Sequence, residues 1–123
     1  RLNAEKHPGA VFRPVWFRPT FQKHAGVDCG GVQIHVIDRE AYQPVRTSLA
    51  LLAAMREMSG AHFKWRTEIY EFVKDPIAID LLFGSDRERT HLEANKTWVD
   101  LPAQWKPEEE AFMHRRHTSF LYD

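Results

Sequence analysis

Gln33 and His35 lie two positions apart in a run of β-branched and apolar residues, Val32-Gln33-Ile34-His35-Val36-Ile37. Successive side chains of a strand point to opposite faces, so this run predicts Gln33 and His35 on one face and Val32, Ile34 and Val36 on the other. An amide beside an imidazole offers donors and acceptors suited to hydroxyl and acetamido groups in a pocket. The same pair serves equally well as a solvated strand face. Gly30 and Gly31 precede the run. Glycine tolerates left-handed backbone and close approach, so the pair is expected to make the turn into the strand. No helix start follows it, which excludes a phosphate-cradling loop.

Other polar residues admit competing readings. His24, Cys29 and His35 offer three metal-ligating atoms, but their spacing matches no zinc pattern and no metal is expected. Cys29 is the single cysteine, so neither an intrachain disulfide nor a site with several thiolates is available. His114 and His117 flank Arg115-Arg116 and read as a solvated helix face. Arg46 falls in the first turn of a predicted helix, where the helix dipole disfavours a cation. It therefore calls for an anionic partner, either an internal carboxylate such as Asp38 or Asp80 or the carboxylate of a ligand. Tyr70 and Trp65 are aromatics fit either for stacking on a ligand or for core packing.

The elements that must position these groups follow from residue pattern. Residues 11–17 are β-branched and aromatic but interrupted by Pro14, which predicts an edge or bulged strand. Residues 18–31 read as a long loop, of a length that is often functional. Pro44 opens a helix over residues 45–58, where proline suits the first helical position. Its apolar set of Val45, Leu49, Leu51, Leu52, Met55 and Met58 predicts cover on more than one side. Residues 63–65 and 69–73 predict short strands, and residues 76–83 a short helix closed by Gly84. A further helix is expected from Ser85 or Asp86 to about Asn95. Helix is also expected from Trp98 toward Arg116, with Pro107 and the acids after it suited to a first turn. The fold class is α+β: a small mixed sheet, several packed helices and a helical C-terminal half.

Composition narrows the function classes. At 43% hydrophobic and 12% aromatic, the chain is too rich in core-forming residues to be disordered. Its 17 basic residues balance 17 acidic ones, which argues against a nucleic-acid binder and gives no support to an anionic-membrane binder. No run approaches the ~20 apolar residues of a membrane span. Residues 1–8 are polar and do not read as a signal peptide, and the chain does not start with Met. Residues 1–123 are expected to form a single domain that begins inside a longer protein.

Several segments together resemble one family. They are Phe12-Arg13-Pro14, Pro19-Thr20-Phe21 with Lys23 and Gly26, and Cys29-Gly30-Gly31-Val32-Gln33-Ile34-His35-Val36 with Asp38-Arg39. Pro44-Val45-Arg46-Thr47, Trp65-Arg66, Tyr70-Glu71-Phe72, Ile79-Asp80-Leu81-Leu82 and the closing Leu121-Tyr122 continue the pattern in order. In these the chain is similar to the C-terminal domain of the exo-β-N-acetylmuramidases, peptidoglycan-degrading glycosidases once described as a domain of unknown function. Ser48, Ile69 and Asn95 depart from the family pattern at loop and helix-end positions.

The resemblance implies a two-domain enzyme whose Rossmann-like N-terminal domain carries the catalytic carboxylate. It implies that this chain is the auxiliary part, with a muropeptide or peptidoglycan fragment bound near the domain interface and no cofactor. Gln33, His35, His24, Arg46 and Tyr70 are the substrate-binding residues it implies, Arg46 as a partner for the lactyl carboxylate of muramic acid. The interface is expected around residues 18–31 and the start of the chain, and the family implies the bacterial cell envelope or secretion. Glycoside hydrolysis typically needs two carboxyls at about 5–5.5 Å or about 6.5–9.5 Å. Glu71, Asp75 and Asp80 are close in sequence, which fixes no such distance, and the isolated chain is expected to be inactive. The alternatives are a stand-alone carbohydrate-binding module and a structural or oligomerising domain.

Overall fold

The computed structural model describes residues 1–122. The chain divides into two compact units, Arg1–Leu51 and Leu52–Asp123, and the first long helix runs through the boundary between them.

The first unit is built on one antiparallel hairpin. β1 (Ala10–Phe17) pairs with β2 (Cys29–Val36) in continuous register, from Ala10 opposite Val36 to Phe17 opposite Cys29. Pro14 is accommodated without a bulge, because in a two-stranded sheet both strands have a free edge where a missing N–H costs nothing. The sheet is thus a two-stranded antiparallel ribbon. Its register separates the faces. Ala10, Phe12, Pro14 and Trp16 share one with Val36, Ile34, Val32 and Gly30; Val11, Arg13, Val15 and Phe17 share the other with His35, Gln33, Gly31 and Cys29.

Phe12 anchors the first face. It is buried together with His7, whose ring meets it edge-on at 5.1 Å between centroids. A short 3₁₀ turn, Leu2–Glu5, brings Asn3 against the same residue. The Asn3 amide donates to the Phe12 carbonyl at 2.9 Å, and its oxygen accepts from the Phe12 N–H at 2.9 Å. One side-chain amide thereby replaces a neighbouring strand at that edge position. Gly9 has φ +67°, and a Cβ there would run into the Asp38 carbonyl and the Tyr42 backbone, so only glycine fits. The Asp38 carboxylate accepts from the N–H groups of Glu40 and Ala41 at 3.0 and 3.1 Å, turning the chain toward α1 (Pro44–Ser59). Thr47, Leu49, Ala50 and Ala54 of α1 are buried. Leu49 stands on nearly the opposite side of the helix from Thr47, so α1 is covered on more than one side, as expected, while Val45, Met55 and Met58 are exposed.

In the second unit, the strands expected at residues 63–65 and 69–73 reduce to one isolated pairing of Tyr70 with Val73. Among the described residues no strand pairs with this segment, so β propensity alone builds no ladder there. Phe63 and Trp65 instead pack edge to face at 4.9 Å. Between Tyr70 and Val73, Glu71 and Phe72 both adopt positive φ, the backbone of a tight hairpin turn.

Three helices complete this unit. α2 (Ala78–Phe83) stops at Gly84, whose φ of 79° lets its N–H reach the Asp80 carbonyl at 2.8 Å. α3 (Arg87–Glu93) is followed by Asn95 in the same left-handed conformation, φ 54°, with its N–H on the Leu92 carbonyl. Asparagine tolerates that region and takes the place where glycine would otherwise stand. α4 (Leu101–Arg116) starts well before Pro107, which sits inside the helix instead of in its first turn as expected. The N–H missing at Pro107 leaves the Ala103 carbonyl without its helical donor, and both residues are exposed to water.

Polar groups tie these helices together. Arg89 grips both oxygens of the buried Asp80, at 2.9 Å from Nε to Oδ1 and 2.9 Å from Nη2 to Oδ2, joining α3 to α2. The buried Glu88 accepts from Ser85 Oγ at 2.7 Å and from Trp105 Nε1 at 2.7 Å, joining α3 to α4. Arg87 and Glu108 make a second link between the same helices at 2.7 Å.

Candidate functional site

The register of the hairpin decides what surrounds the predicted pair. Gln33 lies opposite Arg13 and His35 opposite Val11, on the face that does not carry Phe12. Both Gln33 and His35 are exposed. Arg13 Nη2 donates to Gln33 Oε1 at 2.9 Å, so guanidinium, amide and imidazole occupy one open strip of sheet. Phe17 continues that strip, its ring lying across Gly31. Arg13 belongs to the family pattern Phe12-Arg13-Pro14, which by itself gives it no role. The one signal for it was the strand alternation of residues 11–17, which puts Arg13 on a definite face but does not say which residue it meets.

Gly30 and Gly31 do not make the expected turn. Both lie within β2, opposite Trp16 and Val15. Their absent side chains serve the aromatics instead. A Cβ on Gly31 would come within 2.9 Å of the Phe17 ring, and one on Gly30 would touch the Trp16 ring at 3.7 Å. One ring thus lies over glycine backbone on each face of the hairpin. The left-handed positions sit earlier, at Gln22, His24 and Gly26 in the loop of residues 18–28.

That loop is fastened at its base. Arg18 and Asp28 pair through two bonds of 2.7 and 2.8 Å. The Arg18 guanidinium holds the Asp28 carboxyl below its ordinary range, and Asp28 in turn raises Arg18. The Gly26 N–H reaches the Pro19 carbonyl at 2.8 Å, and the His24 carbonyl accepts from Val27 at 3.0 Å. His24 is exposed on this loop. Trp16, Phe21 and Val27 are 80%, 72% and 55% exposed, so the hairpin end and loop present much apolar surface, as does the chain terminus at Leu121 and Tyr122.

The remaining predicted residues stand elsewhere. Arg46 is half-buried in the first turn of α1, with Nη1 at 3.4 Å from Gln43 Oε1. Asp80, offered as its partner, is engaged by Arg89, because the two residues face each other across α2 and α3. Tyr70 belongs to the second unit, where the Arg66 guanidinium lies over its ring at 5.5 Å. Of the carboxyls considered for hydrolysis, Asp80 is neutralised by Arg89, while Glu71 and Asp75 are exposed. Cys29 Sγ is 3.5 Å from the Val27 carbonyl, and among the described residues no three His, Cys, Asp or Glu side chains gather around a metal position. No described helix is long and apolar enough to cross a membrane.

Comparison with known proteins assigns the fold and its lineage. The structure resembles the crystal structure of a DUF1343 family protein from Bacteroides fragilis NCTC 9343 with a TM-score of 0.78, over 99% of this chain and 31% of that one. At 20% identity that likeness is one of fold. The peptidoglycan β-N-acetylmuramidase NamZ of Bacillus subtilis (strain 168) is 29% identical over 121 residues, which are 98% of this chain and 27% of that protein. The chain therefore spans about a third or less of the length of each relative. The family model described as "Exo-beta-N-acetylmuramidase NamZ, C-terminal" matches residues 1–122, and the chain belongs to that family of C-terminal domains.

Proposed function

We propose that this domain completes the muramic-acid pocket of an exo-β-N-acetylmuramidase, packing on a Rossmann-like N-terminal domain that carries the catalytic carboxylate. The exposed strip of Gln33 and His35 on β2 supplies one wall of that pocket. The observation that carries this reading is the openness of the strip: two polar side chains able to bond hydroxyl and acetamido groups stand on a sheet face that this domain leaves uncovered. Exposed Trp16, Phe21 and Val27 at the hairpin end and its loop support a packing role, since large apolar areas on a domain surface commonly mark interaction sites.

In this reading the chain binds and positions sugar without cleaving it. Asp80 and Glu88, its buried carboxyls, are engaged in holding helices together. The purified chain is expected to release no muramic acid from a chromogenic muramide. Turnover that survives repurification and vanishes in Asp80→Ala or Glu71→Ala would overturn the assignment. The pocket wall is tested at His35. His35→Ala should leave the melting temperature of the chain nearly unchanged, well short of the ~2–5 kcal/mol lost on emptying a core site. In a two-domain enzyme of this family the same change should impair muramide turnover. A lowered melting temperature with normal turnover would make His35 a scaffold residue.

A second reading, a peptidoglycan-binding module that acts without a catalytic partner, draws on Trp16. Its indole lies over Gly30 and is mostly open to solvent, an arrangement suited to stacking on a sugar face.

A further inference from the structure

We infer that Arg13 is the carboxylate-recognition residue of this face, specific for the lactyl carboxylate of a muramic residue; the inference rests on the pocket reading above and deepens it. Two arginines of the hairpin differ in their partners. Arg18, just beyond β1, is closed on Asp28 by two short bonds, which is what a guanidinium does here when the chain supplies its own counter-ion. Arg13, within β1, meets an amide instead: one N–H donates to Gln33 Oε1 at 2.9 Å, and among the described residues no carboxylate pairs with it.

An amide oxygen orients a guanidinium without cancelling its charge. A guanidinium carries five N–H donors in a planar fork, so most of them remain for a ligand, and the fork matches a carboxylate through two parallel bonds. Burial does not quench the group, since Arg13 is exposed on the open face. Its neighbours complete a sugar-acid site. The Gln33 NH₂ is left to bond an acetamido or hydroxyl oxygen, and His35 stands one pleat along the same strand, about 7 Å away by strand rise. Arg46, the residue expected to bind this carboxylate, is half-buried near Gln43 and belongs to no part of this strip.

The test is a ¹⁵N NMR titration of the chain itself with N-acetylmuramic acid, its methyl ester and N-acetylglucosamine, which differ in the lactyl group and its charge. D-lactate serves as a bare carboxylate. The acid is expected to shift the Arg13 Nε–H and the Gln33 side-chain amide, and to bind about five- to tenfold more tightly than the ester or N-acetylglucosamine. Arg13→Gln should abolish that preference while the Gln33 and His35 shifts with all three sugars persist. Arg13→Lys, which keeps charge but loses the fork, should retain only part of the preference. Equal binding of acid and ester, or a preference unchanged in Arg13→Gln, overturns the Arg13 assignment and leaves the pocket reading standing. Lactate binding as tightly as the sugar acid also overturns it, as a simple anion site. If no sugar shifts Gln33 or His35, the pocket reading fails and takes this assignment with it.

Discussion

The helical unit and the hairpin use charged side chains in opposite ways. Among the helices, Asp80 and Glu88 are both buried, and each has its hydrogen bonds met by groups on neighbouring elements: Arg89 for one, Ser85 and Trp105 for the other. On the hairpin, Arg13, Gln33 and His35 stand in the open, and the single bond among them leaves most of their donors and acceptors unused. The unfavourable transfer of a charge out of water explains the first pattern, since a buried ion persists only when paired and hydrogen-bonded. No such constraint governs the second. Polar groups that stabilise a fold are thus recognised by completed partnerships, and those free to meet a ligand by unfinished ones.

The contrast can be broken most forcefully at Arg89. Arg89→Ala leaves Asp80 buried without its guanidinium, at a cost of about 3–5 kcal/mol, whereas Arg13→Gln on the hairpin should change stability by no more than about 0.5 kcal/mol. Urea denaturation of both variants measures the difference, and equal losses would remove the distinction between the two regions. A smaller effect belongs to Trp105→Phe. It keeps the aromatic packing but withdraws the N–H from Glu88, leaving one acceptor of a buried carboxylate unmet at about 1–3 kcal/mol. A change in melting temperature within error would show that water takes over that bond.

The smallest effect concerns the Arg18–Asp28 clamp. Asp28 has a lowered pKa in the folded chain, caused by hydrogen bonding to Arg18. A depressed carboxyl contributes stability that is complete above its ordinary value of 3.8 and is lost as pH falls through the lower folded value. Because both side chains are exposed, loss of the pair should loosen the loop of residues 18–28 without unfolding the chain. The Arg18 Nε–H resonance should therefore keep its hydrogen-bonded chemical shift at pH 4–5 and move toward that of a free guanidinium only in stronger acid, or in high salt. Collapse of the whole spectrum in the same step would mean the clamp is structural.

Much of this was readable from the residues alone, because it depends on local pattern. Alternation of apolar and polar residues in Val32-Gln33-Ile34-His35-Val36 assigned each side chain its face, and β2 keeps that assignment. Pro44 at the first position of α1 and Gly84 after α2 are boundary signals set by backbone geometry, and both hold. The order and spacing of the family segments gave the lineage, which the match over residues 1–122 establishes.

Other features required the tertiary structure, because they depend on which segments meet. No standard two-residue turn joins β1 to β2, so nothing local fixes their register. Only the folded hairpin sets Arg13 against Gln33, and Gly30 and Gly31 under aromatic rings instead of in a turn. Strand-like residues at 63–65 found no partner and formed a ring pair, since a ladder needs a second chain segment at hydrogen-bonding distance. Asp80 was offered from the sequence as a partner for Arg46, and the packing of α2 beside α3 gave it to Arg89. Local pattern determined the faces and ends of the elements, where the physics is that of neighbouring residues. The partners were decided by long-range contact, which one-dimensional spacing does not encode.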